Sequence, residues 1–189
     1  MIKRVLRTAL ALGLALAFTS GPSLADEPAN LDLYKEPLKV YVSSGGYAKE
    51  VAEVALRANK FLVKRIAKGA KPGKKLAVVF DIDETTLTNL PHIIANDYGY
   101  VTKVWDAWVL EAQARAIIPV QTIYDTAVRG KVDVFFITAR PESSRASTEK
   151  NLREVGYETW TKIIFKAEND TAHDVTGFKL VARRKIQRG

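Results

Sequence analysis

Lys74-Lys75-Leu76-Ala77-Val78-Val79-Phe80-Asp81-Ile82-Asp83-Glu84-Thr85-Thr86-Leu87 is the stretch that decides the fold of this chain. Leu76 to Phe80 is an unbroken apolar run, too short for an independent helix and long enough for a strand. An apolar run without alternation is expected of a strand buried on both faces, as in a parallel sheet. Two aspartates one residue apart, then Thr85 and Thr86, follow directly at its end. Open α/β sheets bind ligands at the carboxyl ends of their strands, so these carboxylates lie where chemistry is expected.

Working outward towards the N-terminus, Val51, Val54, Ala55, Ala58, Phe61, Leu62 and Ile66 recur at three- and four-residue steps between charged residues. This periodicity predicts an amphipathic helix from Tyr47 to Lys68, with Gly69 as its stop and Lys71-Pro72-Gly73 turning the chain into the strand. Before it, Asp26 to Lys39 contains Pro28 and Pro37 and no clear period, and reads as an extended leading segment. Ser43-Ser44-Gly45-Gly46 separates the two.

On the other side, Leu90-Pro91, Asn96-Asp97 and Tyr98-Gly99-Tyr100 read as turns, followed by a short helix over Val104 to Ala116. Trp105, Trp108 and Val109 share one face of it, which suits packing better than substrate stacking. Residues 88–118 thus read as a cap-like insertion over the strand ends. Pro119 opens a further helix that Gly130 closes, and Val132 to Ile137 is a second buried strand leading to Thr138-Ala139-Arg140-Pro141. A helix to Gly156 and a strand over Thr161 to Phe165 complete the pattern. Strands separated by helices of this length predict right-handed βαβ crossovers: an α/β, three-layer, Rossmann-like sheet with a small helical cap.

The first 25 residues stand apart from this pattern. Lys3, Arg4 and Arg7 precede the apolar stretch Ala9 to Phe18, and Ser23-Leu24-Ala25 offers small residues where a signal peptidase reads. This is the pattern of a cleavable signal peptide over residues 1–25, cut after Ala25, and it implies a periplasmic or secreted protein. Residues 26–189 then form one domain with a formal charge of +5, since three of the 29 basic residues lie in the leader. No basic run alternates with aromatics, so no nucleic-acid partner is expected, and after signal removal no membrane partner. There is no cysteine, which excludes disulfides, thiol catalysis and thiolate metal sites. With only two histidines, His92 and His173, a mechanism built on a histidine pair is disfavoured, and both read as surface or capping residues.

Paired carboxylates at a strand end can divide two tasks. One can attack phosphorus and form an aspartyl-phosphate; the other can protonate the leaving oxygen and then activate water. The concentration of negative charge calls for a hard divalent cation, and Mg²⁺ with few protein ligands and several waters fits. Donors for the phosphoryl oxygens are also needed, and Thr138 ends the next strand just before a helix start.

Asp81-Ile82-Asp83-Glu84-Thr85-Thr86-Leu87 resembles the first motif of the haloacid dehalogenase superfamily, in the form used by its secreted acid phosphatases (bacterial class B and C, and the plant vegetative-storage type). Phe135 to Glu142 resembles the second motif, and Phe178-Lys179 before Arg183-Arg184-Lys185-Ile186 is similar to the third. The resemblance runs from Tyr47 to Gly189. It implies a Mg²⁺-dependent acid phosphatase hydrolysing small phosphomonoesters, with Asp81 as nucleophile and Asp83 as general acid/base. By the same resemblance, Asp81 and the Asp83 backbone carbonyl bind the metal, Thr138 holds the phosphate, and Lys179 stabilises the nucleophile and phosphoryl charge. Arg140 could reach a substrate phosphate or pair with Glu142, and the basic cluster Arg183 to Arg188 reads as a solvated helix face.

The family's fourth motif, a Gly-Asp on a further strand, does not occur before Gly189. The expectation is of missing C-terminal strands and an exposed sheet edge: either a truncated product or a protein that has lost full activity. The rival reading is therefore a non-catalytic phosphate- or metal-binding relative on the same fold.

Overall fold

A computed structural model of the chain describes residues 30–168 and 175–188. The signal-peptide reading and His173 lie outside the described residues. The helices are α1 (Asp32–Ser43), α2 (Gly46–Lys68), α3 (Leu90–Ala95), α4 (Thr102–Glu111), α5 (Ile118–Arg129), α6 (Arg145–Glu154) and α7 (Val175–Arg188). The strands are β1 (Ala77–Phe80), β2 (Leu87–Thr88), β3 (Arg115–Ala116), β4 (Asp133–Pro141) and β5 (Lys162–Lys166). A single 3₁₀ turn, Glu142–Ser144, joins β4 to α6.

β1, β4 and β5 form a parallel sheet in the order β1-β4-β5, with Phe80 level with Phe136 and Phe136 level with Ile163. Alternation along the strands sends Phe80, Val134, Phe136, Ile163 and Phe165 to one face. There they meet Ala55 and Leu62 of α2, Ile123, Tyr124 and Ala127 of α5, and Leu152 of α6 in one core cluster. Phe135 and Ile164 look to the other face, where Phe178, Val181 and Ala182 of α7 lie. The result is three layers: α2, α5 and α6, then the sheet, then α7. Crossovers through α5 and α6 carry β1 to β4 and β4 to β5 on one face, the right-handed solution.

Aromatic packing fixes the centre. Phe136 and Tyr157 are fully buried, and their rings meet edge-on with centroids 6.0 Å apart. The Tyr124 ring stands edge-on to Tyr157 at 4.8 Å. Burying one such side chain contributes about 2–3 kcal/mol.

Four expectations are corrected. Residues 32–43 are helical rather than extended, with Pro37 inside the helix. None of α1's residues is buried, so no apolar stripe marked it; α1 is held to α2 by the edge-on Tyr41–Tyr47 pair at 6.3 Å. β1 is not covered on both faces: Ala77 and Val79 are exposed, because α7 lies over β4 and β5 and β1 pairs with β4 alone among the described strands. A groove of about 930 Å³ runs between β1, α2 and α5. Leu90-Pro91, read as a turn, instead opens the helix Leu90–Ala95, with Pro91 in its first turn, where a missing N–H does no harm. Finally, the helix expected to reach Ala116 stops at Glu111, with Ala112 in the left-handed region at φ 55°. Arg115 and Ala116 instead pair antiparallel with Thr88 and Leu87. Residues 87–116 therefore leave and re-enter the domain side by side, and between them α4 packs on α6 and brings Trp108 to Asn89.

Candidate active site

The turn after β1 is built around one carbonyl. Ile82 O accepts the N–H groups of Thr85 (3.3 Å), Thr86 (2.9 Å) and Leu87 (2.9 Å), which coils residues 82–87 into a tight loop. Glu84 takes φ 53° in this loop, and its N–H donates to Leu87 O at 2.9 Å. The buried Thr86 hydroxyl donates to Asp81 O at 2.6 Å. Ile82 and Leu87, both fully buried, anchor the loop to the core. Asp81 and Asp83 flank the buried Ile82, so alternation leaves both aspartates on the open side, each half-buried.

The structure brings Lys179 to Asp81. Its Nζ lies 2.6 Å from Asp81 Oδ2, across 98 residues of sequence, while Asp81 Oδ1 accepts the Ile82 N–H at 2.9 Å. The two side chains are about one-third exposed, at 32% and 35%. An ion pair in that setting contributes little to stability, which suits a lysine kept for the site's charge. Lys179 is on α7, where its neighbours Phe178 and Ala182 pack on the sheet.

Thr138 is fully buried at the carboxyl end of β4, beside β1. Its Oγ1 accepts the Arg140 N–H at 3.1 Å, which leaves the hydroxyl proton available as a donor. β4 runs on to Pro141, so the helical turn begins at Glu142 and not at the proline, which stays extended at φ −69°, ψ 157°. All four predicted site residues, Asp81, Asp83, Thr138 and Lys179, come from the carboxyl ends of two adjacent strands and from the helix on the far face.

Arg140 pairs neither with Glu142 nor with open solvent. It is 3% exposed and grips Asp83. Nε lies 3.2 Å from Oδ1 and 3.1 Å from Oδ2, and Nη2 lies 2.7 Å from Oδ1. Nη1 donates to the buried Thr148 Oγ1 at 3.0 Å. Glu142 pairs instead with Arg145, which holds its carboxyl below the usual carboxylate range. Asn89 is the second partner of Asp83: its Nδ2 donates to Oδ1 at 3.0 Å, and its own Oδ1 accepts from Trp108 Nε1 at 2.9 Å. Asn89 N–H also donates to the Glu84 carboxylate. Trp108 does pack on the core, as expected, and also carries this bond. Sequence reasoning missed Asn89 because a single asparagine six residues past Asp83 carries no period. The signal that could have found it is Trp108, whose indole N–H needs an acceptor once buried. His92 stacks on Trp108 at 5.2 Å and takes no part in the carboxylate contacts.

For a hard cation, the donors that the family resemblance implies are Asp81's carboxylate and Asp83's backbone carbonyl. Both are oxygens of the type Mg²⁺ prefers, and an ion that retains several waters fits so few ligands. Among the described residues, no three Asp, Glu or His side chains gather at one point.

A parallel α/β domain with paired aspartates, a lysine and a threonine at its strand ends is the arrangement of a known family, and the chain is a member of it. Residues 24–189 match the model of the haloacid dehalogenase (HAD) superfamily, subfamily IIIB (acid phosphatase). Among its relatives, acid phosphatase 1 of Solanum lycopersicum is 30% identical over 154 residues, covering 79% of this chain and 58% of that protein. The stem 28 kDa glycoprotein of Glycine max is 32% identical over 114 residues, covering 58% of this chain and 45% of that protein. Among solved structures, the class C acid phosphatase from Bacillus anthracis with tungstate bound superposes with a TM-score of 0.64 at 26% identity, covering 81% of this chain and 65% of that one. The chain spans about half the length of the curated relatives it matches.

Proposed function

We propose that this chain acts as a Mg²⁺-assisted acid phosphatase on small phosphomonoesters, through a covalent phosphate on Asp81. The observation that carries the reading is the meeting of Asp81 and Lys179 at 2.6 Å, at the strand end beside buried Thr138. A carboxylate there can attack phosphorus while an ammonium and a hydroxyl hold the charge that develops on the phosphoryl oxygens.

The steps follow from these groups. An Asp81 carboxylate oxygen bonds to phosphorus as the bond from phosphorus to the ester oxygen breaks. The departing oxygen takes a proton from Asp83. Water then attacks phosphorus, giving its proton back to Asp83, and the Asp81–phosphorus bond breaks to release inorganic phosphate. Of the two Asp83 oxygens, Oδ1 carries donors from Asn89 and Arg140, whereas Oδ2 meets only Arg140 Nε among the described residues. We assign Oδ2 to the proton transfer. Asp81 and the Asp83 carbonyl would hold Mg²⁺, which when bound neutralises phosphoryl charge. Helices α3 and α4 over the strand ends would serve as the cap that shapes the leaving-group side. Export with cleavage after Ala25 fits the leader, and N-terminal sequencing of the exported protein tests it.

The test of the activity is turnover of 4-nitrophenyl phosphate by the purified chain, with Mg²⁺ and after chelation. Turnover that needs the metal and vanishes in Asp81→Asn is expected. Turnover that survives in Asp81→Asn overturns the nucleophile assignment. A second reading is a phosphate- or metal-binding relative without turnover. That reading gains if the parent chain binds phosphate or tungstate, as the Bacillus anthracis structure holds tungstate, but releases no product.

A further inference from the structure

Asn89 is a fully enclosed polar side chain between α4 and the strand-end carboxylates. It is 1% exposed, and both ends of its amide are used. An asparagine amide can in principle face either way, with oxygen and nitrogen exchanged. Here the choice is forced from one side. The Trp108 indole has a donor and no acceptor, so the group 2.9 Å from its Nε1 must be the amide oxygen. The amide nitrogen is thereby turned to Asp83, where it donates to Oδ1 at 3.0 Å. Arg140 approaches the same carboxylate from the other side. Trp108 is itself fixed, packed on the core on one side and stacked against His92 on the other.

We propose that Asn89, oriented by Trp108, is a positioning residue that sets the plane of the Asp83 carboxylate for proton transfer to the leaving oxygen. The inference rests on the reading of Asp83 as the general acid. Without the Trp108 donor, the Asn89 amide loses the bond that fixes its plane, and its hold on Asp83 Oδ1 loosens while Arg140 keeps its own contacts. The bland alternative is a buried asparagine that only satisfies its neighbours. The two differ in which substrates suffer. A leaving oxygen that is already a stable anion needs no proton, whereas an alkoxide does, so a misplaced acid harms poor leaving groups selectively. A general loss of packing harms all substrates alike.

The experiment compares kcat/KM for 4-nitrophenyl phosphate, phenyl phosphate and an alkyl phosphate in the parent, Asn89→Ala, Trp108→Phe and Trp160→Phe. Asn89→Ala is expected to lose about 10–100-fold on the alkyl ester and less than about threefold on the nitrophenyl ester, a part of the 10²–10⁴ that a positioned acid supplies. Trp108→Phe keeps an aromatic ring against the core and removes the donor with the pyrrole half of the indole; it should show the same slope at about 3–10-fold. Trp160→Phe, whose ring meets Phe136 and Arg153 away from the strand-end carboxylates, should show none. Equal losses on all three esters in Asn89→Ala and Trp108→Phe overturn the proposal. A second readout needs no turnover: the side-chain carboxyl ¹³C resonance of Asp83 should shift in Trp108→Phe, although Trp108 reaches Asp83 only through Asn89. If that resonance stays in place, the proposal is overturned. If the parent hydrolyses nothing while the resonance moves, the phosphatase reading fails and the positioning of Asp83 by Asn89 stands.

Discussion

Replacing Arg140 with methionine should separate the fold's dependence on the Arg140–Asp83 pair from its dependence on packing. Methionine keeps most of the arginine stem and removes four contacts: three to the Asp83 carboxylate and one to Thr148 Oγ1. Breaking a fully buried ion pair from one side costs about 3–5 kcal/mol, because a charge is left without its partner. Asp83 is not fully buried; its side chain is 27% exposed against 2% for Arg140, so water recovers part of the loss. Asn89 still donates to it. The net expectation is about 2–3 kcal/mol, or about 4–12 °C in Tm for a domain of this size. Urea denaturation at pH 7 of the parent, Arg140→Met, Asp83→Asn and the double variant measures it. The double variant should be more stable than the sum of the singles implies, by about 2 kcal/mol. The Arg140→Met loss should also persist in 1 M salt, since the guanidinium is sheltered. A loss under about 1 kcal/mol, or additivity of the two singles, would refute the reasoning.

Three further outcomes follow from the packing. Tyr124 Oη accepts the N–H groups of Glu158 at 3.0 Å and Thr159 at 2.9 Å and donates to Thr159 O at 3.0 Å; Tyr124→Phe should therefore cost about 1–3 kcal/mol in a urea titration. Gly156 has φ +95°, and a Cβ there would meet Gln121 Nε2 at 2.6 Å, the group that donates to Val155 O. Gly156→Ala should lose about 1–3 kcal/mol, whereas Gly73→Ala, with φ +70° but open space, should lose only the backbone part, about 1 kcal/mol. Burial raises the Tyr157 phenol above its ordinary value of 10.0. The native state then holds that proton more tightly, so its contribution is intact below pH 10.0 and is lost as pH climbs from there through the raised folded value. Urea midpoints between pH 9 and 11 should fall in the parent, and the fall should flatten in Tyr157→Phe.

How much of this was legible in the sequence depended on burial. Strands β4 and β5 announced themselves because their apolar residues meet the core, and helix α2 by its period, although only Ala55 and Leu62 of its stripe are buried while Val54 and Phe61 stay exposed. Helix α1 buries nothing, and its proline argued against it, so no pattern could reveal it. β1 read as doubly buried because Ala77 and Val79 are apolar, but composition does not say which strands a helix will cover. At the site, Asp81, Thr138 and Lys179 were readable as types in the right order. Their meeting was expected from the family resemblance alone, because an ion pair across 98 residues leaves no local trace. Arg140 shows the limit plainly: the nearest acid in sequence was Glu142, and the observed partner is 57 residues away. A side chain's neighbours along the chain are a poor guide when the strand end turns it into a buried slot.

The long reach of the Lys179–Asp81 contact also sets a schedule. Closing a loop costs entropy that grows with the logarithm of its length, and topologies rich in distant contacts fold slowly. β1, β4 and β5 can pair, and Trp160 can settle edge-on against Phe136 at 6.0 Å, before α7 has docked. Lys179 arrives only with α7. The proposed phosphate centre is therefore a clock for the end of folding: in a refolding experiment, any oxyanion affinity should return after the tryptophan signal and never ahead of it.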